Sequence, residues 1–406
     1  MYPVSPPTRR SAISSLLSPA ARPLSTLFLT LLCALLAAPA GALSLRWSAP
    51  EPRLVSGQVQ RPVLHHSRTL TVPDSVAAQV RRTGRPTPEL RRALDLAYAA
   101  VDARTPRDLR FSRAGAGWTA QARTGWTVDR AASDRAVLDA LSAGQSSAPL
   151  RVNLTAPARN VAWAAARRIT HLGSGTSSFT GSPDFRVQNI RVGASRVHGQ
   201  WIEVGRELNF NALIGPVTAA RGFVPGYVIT GNRLSTEDGG GLCQVSTTVF
   251  RAAWTAGLPV TERHAHSYQV AYYGQPGLDA AVYAPAKNLR WRNDTPAPLL
   301  VQADWDTRTS RLSVHLFGQD DGRRIWTATP QQSQVRPAPG PTFVSDPALK
   351  GDEARRIDMP APGALVSVTR QVRLPGGQVR RDTLVSRYRP WGGVFAVAPG
   401  DDRLRN

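Results

Sequence analysis

Three consecutive glycines, Gly239-Gly240-Gly241, run directly into an amphipathic stretch, and this junction limits the local fold more tightly than any other segment of the chain. Glycine has no Cβ, so a run of them lets the backbone turn sharply and lets another group approach it closely. From there Leu242, Val245, Val249, Ala253 and Trp254 recur at helical spacing, and Gly257 with Pro259 ends the run. The spacing predicts a helix over residues 242–256 with Cys243 in its first turn. At that end, unpaired backbone N–H groups and the helix dipole favour a thiolate and lower a thiol's pKa.

A thiolate nucleophile needs a base to carry its proton and a polar group to orient that base. His266 opens an expected strand downstream, with His264 two residues earlier on the same expected face. Asp279 begins a second expected strand, residues 278–283, after the turn Gly274-Gln275-Pro276-Gly277. The chain order Cys243, His266, Asp279 matches the layout of papain-like and transglutaminase-like enzymes, an analogy of arrangement rather than of fold. Backbone N–H groups of Cys243 and Gln244 are the expected oxyanion donors. Two other readings stand beside this one. Cys243 can be a small buried apolar residue, or Cys243, His264, His266 and an acid can bind zinc. The chain shows no second short-spaced ligand pair of the structural zinc type, so neither metal nor cofactor is expected. His171 and His198 read as surface residues.

Residues 1–42 read as a secretory leader. Arg9, Arg10 and Arg22 flank the apolar run from Leu24 to Leu36, and Ala40-Gly41-Ala42 offers a small-x-small cleavage site. An uncleaved N-terminal anchor is the other reading. Loss of the leader removes Cys33 and leaves Cys243 as the sole cysteine, so no internal disulfide can form and the core must be apolar. The formal net charge of +22 comes almost wholly from arginine, since Lys287 and Lys350 are the only lysines. Such a surface attracts polyanions, either wall polymers or anionic membrane surfaces; export and the absence of any nucleic-acid motif exclude nucleic acid.

Residues 43–86 read as a Pro/Arg-rich linker. Residues 87–170 read as a small α+β module, with Thr87 and Asp129 as helix caps and a hairpin over residues 109–128. Gly173 to Ser178 reads as a low-complexity separator. Residues 179–325 then form a mixed α+β domain with an antiparallel sheet, including a hairpin around Asp306 to Ser310. A Pro-rich linker follows over 326–362, and residues 363–406 form a small β appendage turning at Pro375-Gly376-Gly377. The fold class is therefore α+β and multidomain.

Several of these segments resemble the VanW family. The resemblance is carried by Arg186-Val187-Gln188-Asn189-Ile190, by Leu208-Asn209-Phe210-Asn211, and above all by Gly239-Gly240-Gly241-Leu242-Cys243-Gln244-Val245-Ser246-Thr247-Thr248. Glu262-Arg263-His264-Ala265-His266-Ser267 and Gly277-Leu278-Asp279-Ala280 extend it. The resemblance implies a place in the bacterial envelope, a preceding domain of the peptidoglycan-binding type at residues 87–170, and a G5-like end. Peptidoglycan or another anionic wall polymer is the implied partner. Cys243, His266 and Asp279 are the candidate catalytic residues of a hydrolase or transpeptidase-like acyltransferase. Gly239, Gly240, Gly241, Gln244, Ser246, Thr247, Arg186, Asn189 and His264 are the candidate binding residues. The alternative is a non-catalytic wall-binding or scaffold protein.

Overall fold

The computed structural model describes residues 41–230 and 233–405, with the backbone alone for residues 227–238. The expected leader lies outside the described residues except for its last two positions.

The first unit comprises β1 (Ala42–Pro50), β2 (Arg53–Val55), β3 (Gln58–Gln60), β4 (Val63–Thr71), α1 (Asp74–Thr83), α2 (Pro88–Asp102), β5 (Arg107–Ala114), β6 (Gly117–Arg123), β7 (Gly125–Val128), α3 (Arg130–Ser142), β8 (Ser147–Pro149), β9 (Val152–Thr155) and α4 (Val161–Ala166). The expected caps are in place: Thr87 Oγ1 accepts from Leu90 N at 3.1 Å, and Asp129 Oδ1 from Ala132 N at 3.0 Å. Residues 43–86 are not a linker. Leu43 and Leu45 alternate with polar residues along β1 and are buried against Val76, Val80, Leu90 and Leu94. Pro50, Pro52 and Pro62 fall at strand ends and turns, so prolines that suggest a linker here mark element boundaries.

The central unit comprises β10 (Ile169–Ser178), α5 (Asp184–Val197), β11 (Gln200–Ile202), β12 (Glu207–Asn209), α6 (Phe210–Ile214), β13 (Pro225–Thr230), β14 (Arg233–Asp238), α7 (Leu242–Thr255), β15 (Val260–Glu262), β16 (Arg290–Arg292), β17 (Leu299–Asp306) and β18 (Arg311–Gln319). Its main sheet is antiparallel in the order β10-β18-β17-β11, and α7 lies across β10 and β18. The glycine-serine stretch expected as a separator is thus a strand of this sheet. Its glycines let α7 sit close: a Cβ on Gly175 would lie 2.0 Å from Thr248 O, and one on Gly173 2.5 Å from Ala256 N. The first unit docks on the same sheet. Phe111 stacks on Phe317 with centroids 4.0 Å apart, and Gln302 bonds both the N–H and the C=O of Phe111, at 3.0 and 2.7 Å. His171, expected at the surface, is packed into this junction against Trp118.

The third unit comprises β19 (Arg324–Thr327), β20 (Gln331–Arg336), β21 (Thr342–Ser345), β22 (Ala354–Asp358), β23 (Gly363–Arg373), β24 (Val379–Tyr388) and β25 (Val394–Val397). β23 and β24 form the expected hairpin, β19 and β20 also pair with β23, and β25 lies between β21 and β22. Residues 326–362 are therefore not a linker. Their strands are largely exposed and show no alternation, because long-range pairing rather than a buried face holds them. This unit is packed onto α7. Buried Arg370 stacks on Trp254 at 4.0 Å, donates to Trp254 O at 2.6 Å and Leu258 O at 2.9 Å, and pairs with Asp382 at 2.5 Å. A cation thus satisfies the carbonyls at the C-terminal end of α7.

Candidate active site

The glycine run sets the start of α7. Gly239 and Gly241 have φ of +90° and +118°, which side-chain-bearing residues rarely adopt. Asn189 Nδ2 donates to Gly240 O at 3.2 Å and to Val224 O at 2.9 Å, which fixes the turn from α5. Gln244, fully buried, donates to Ser177 Oγ at 3.0 Å and Ser178 O at 2.9 Å, and its Oε1 accepts from Arg186 Nη1 at 2.7 Å.

Hydroxyls on α7 hold the segment that carries the acid. Ser246 Oγ donates to Ala280 O at 2.5 Å, and Thr247 Oγ1 accepts from Ala280 N at 3.0 Å. Beyond Ala280 the chain runs past Cys243, whose Sγ lies 3.4 Å from Val282 O and 3.5 Å from Val282 N. The strand expected to open at His266 and the one expected over 278–283 are extended loops held by isolated bridges such as His264 with Ala281, and a 3-10 turn covers Ala271–Tyr273.

Cys243, His266 and Asp279 come together at this point. Asp279 Oδ2 lies 2.5 Å from His266 Nδ1 and also accepts from the His266 backbone N at 2.8 Å. Its other oxygen accepts from Arg263 Nη2 at 2.7 Å and Tyr388 OH at 2.5 Å. Arg263 further donates to Ser386 Oγ at 2.9 Å, and Tyr388 OH accepts from Gly277 N at 2.9 Å. The acid is therefore fully hydrogen-bonded and has a buried counter-charge.

The electrostatics follow from these contacts. Burial favours the neutral form of Asp279, yet the bond from His266 and the charges of His266 and Arg263 hold its pKa well below the carboxylate range. Burial opposes a charged His266, but its bonds to Asp279 and Cys243 raise the imidazole to about 9. Burial likewise opposes a Cys243 thiolate. The interaction with His266, the Val282 backbone and the Arg186 charge outweigh it and lower the thiol's pKa. Both shifts favour a thiolate–imidazolium pair, in which Asp279 orients the ring through Nδ1 and leaves Nε2 for proton transfer.

A cleft of about 1340 Å³ opens over this group, and Cys243, His266, Arg186 and the three glycines line it. Other expected binding residues do not reach it. Gln244, Ser246, Thr247 and Asn189 are fully buried and bonded within the protein, so they brace the site and contact no ligand. His264 turns to Glu262 Oε1 at 3.1 Å instead of facing the cleft with His266. Gln244 N–H is already bonded to Gly241 O at 3.0 Å, so it is no free oxyanion donor. Among the described residues no group of three His, Cys, Asp or Glu side chains could hold a metal ion. Arg263 and Tyr388 are site residues that sequence reasoning missed. Arg263 sits beside the noted histidines, but nothing in the spacing links Tyr388 to Asp279.

Residues 185–317 match the family model described as VanW like protein. The uncharacterized protein YoaR of Bacillus subtilis (strain 168) is 33% identical over 132 residues, which cover 32% of this chain and 43% of that protein. Vancomycin B-type resistance protein VanW of Enterococcus faecalis (strain ATCC 700802 / V583) is 27% identical over 116 residues, 27% of this chain and 42% of that protein. The chain thus spans less than half the length of these curated relatives. No solved structure matches it. The matched segment contains the glycine turn, α7 and all of Cys243, His266 and Asp279, so residues 185–317 of the chain are a VanW-like domain.

Proposed function

We propose that the chain is an exported cell-envelope protein whose VanW-like domain performs cysteine acyl transfer on wall peptides. The single observation that supports it most is the connected series Cys243, His266, Asp279, whose first two members line an open cleft while the acid lies buried behind the imidazole. The Cys243 thiolate attacks an amide carbon, and the charge that develops on oxygen faces the positive end of α7 and the Arg186 guanidinium. The C–N bond then breaks, His266 gives its proton to the departing amine, and a thioester to Cys243 remains. Water or an acceptor amine loses a proton to His266 and attacks the thioester, which releases the acyl group and restores the thiolate–imidazolium pair.

The envelope setting rests on the expected leader, on the net charge of +22 that suits anionic wall polymers, and on a relative named as a vancomycin B-type resistance protein. The first unit serves as a peptidoglycan-binding module in this reading. The test is alkylation of Cys243 by iodoacetamide at neutral pH, followed by mass spectrometry. Rapid labelling that falls about tenfold or more in His266→Ala supports a nucleophile activated by its base. An inert thiol sinks acyl transfer and leaves a wall-binding protein.

A further inference from the structure

The VanW-like domain supplies the nucleophile, but the third unit builds part of the cleft. Arg389 N donates to Ser267 O at 2.7 Å, one residue from His266. Tyr268 stacks on Trp391 with centroids 4.8 Å apart, and Gln269 donates to Pro362 O at 2.9 Å. The unit is thereby docked along the loop that carries the base. Consecutive residues of this unit have separate tasks: Tyr388 holds Asp279, and Arg389 lines the cleft.

The charges lining the cleft are one-sided. Lys287, Arg356 and Arg389 are exposed there, and among the described residues none of them is paired with a carboxylate. Arg186 adds a fourth cation, held over the Tyr272 ring at 5.0 Å. Asp358 is the one acid among the described lining residues, and it already accepts from Trp391 Nε1 at 2.9 Å and Met359 N at 2.9 Å. Tyr272 and Tyr283 are 44% and 55% exposed, which provides aromatic surface for an extended chain. Unpaired arginines facing a cleft are suited to carboxylates, which a guanidinium binds through two parallel hydrogen bonds.

We propose that the cleft recognises peptides that carry free carboxylates near the bond cut at Cys243, and that Arg356 and Arg389 of the third unit read that charge with Lys287. This rests on the acyl-transfer reading and names its substrate class. The unit that follows the family domain in sequence is then the specificity wall of its active site. Neutral or amidated peptides lose this contact and bind more weakly.

The test uses the full chain and two alkylating probes of similar size, anionic iodoacetate and neutral iodoacetamide. The readout is the ratio of their rates at Cys243. The double variant R356Q/R389Q lowers this ratio by about tenfold, and rising salt lowers it in the unaltered protein. The salt series needs no substitution, so a variant that misfolds does not remove the test. Protection of Cys243 from iodoacetamide by an N-acetyl peptide with a free C-terminal carboxylate, but not by its C-terminal amide, is the matching result for a peptide. A reactive thiol whose ratio ignores both the substitutions and salt overturns this inference alone. A thiol inert to both reagents overturns acyl transfer and the inference with it.

Discussion

At the scale of single residues, Asp279 decides what Cys243 can do. A buried cysteine left to itself has a raised pKa, and a charged His266 is the largest influence that reverses it; the ring stays charged because Asp279 bonds Nδ1 at 2.5 Å. Asp279→Asn removes the counter-charge, so iodoacetamide labelling near neutral pH should drop by about tenfold and its pH midpoint should rise toward that of a free thiol. Tyr388→Phe takes one of four donors from Asp279 and an acceptor from Gly277 N, and should cost about 1 kcal/mol in denaturant unfolding with a smaller rise in that midpoint. In the proposed acyl transfer, the pH profile of peptide turnover should rise as Cys243 ionises below the ordinary thiol range and fall near pH 9 as His266 loses the proton that the leaving amine needs. For stability the sign at Asp279 is the usual one for a depressed carboxylate. Its contribution is present above the unfolded-state pKa of 3.8 and is lost as the pH falls through its lower folded value, so acid unfolding of Asp279→Asn should show a shallower pH dependence. Cys243, His266 and Asp279 could be named from the chain because each sits by a local signal: a glycine-opened helix, a histidine pair, a turn. Tyr388 could not be assigned, since a hydrogen bond to a residue 109 positions away leaves no mark in spacing, and Arg263, 16 positions from Asp279, could not because irregular loops rather than a regular strand pair bring the two together.

At the scale of elements, α7 is positioned from both ends. Its first turn is tied to β10 by Gln244 and to the Asp279 segment by Ser246 and Thr247, and its last carbonyls are held by Arg370. The close approach of β10 requires glycine at position 175, where a Cβ would meet Thr248 O at 2.0 Å. Gly175→Ala should therefore destabilise the fold by about 3 kcal/mol in chemical denaturation, and Cys243 labelling should slow as α7 is pushed from the sheet. This pairing also explains why a glycine-serine run misleads. Composition reports backbone freedom, and close packing of a helix on a strand uses the same residues that a flexible separator does. Helices with caps, such as α2 behind Thr87 and α3 behind Asp129, were legible because a cap acts within three residues. The short strands β19 to β22 were not, because their partners lie far along the chain.

For the whole molecule, the three units form joined cores rather than beads on linkers. Phe111 stacked on Phe317 joins the first unit to the central sheet, and Arg370 with Trp254 joins the third unit to α7. Arg370→Ala strips the donor from the carbonyls of Trp254 and Leu258 and opens a void over the Trp254 ring, so it should cost about 2–4 kcal/mol in denaturant unfolding, while Asp382 keeps Arg380 at 3.4 Å. Calorimetry should show the third and central units unfolding in one transition; separate transitions would mean that the contact carries little energy. The amino-acid sequence by itself determined the glycine-opened helix, its cysteine, the capped helices, the three β-hairpins and the identity of the family domain, because these depend on residues close together in the chain. The tertiary structure alone decided that apparent linkers are strands, that Gln244, Ser246, Thr247 and Asn189 brace the site from within, and that the third unit supplies Tyr388 to Asp279 and Arg356 and Arg389 to the cleft. Pairing across long separations and burial of polar groups depend on which surfaces meet in space, and that is settled only when the whole chain has packed.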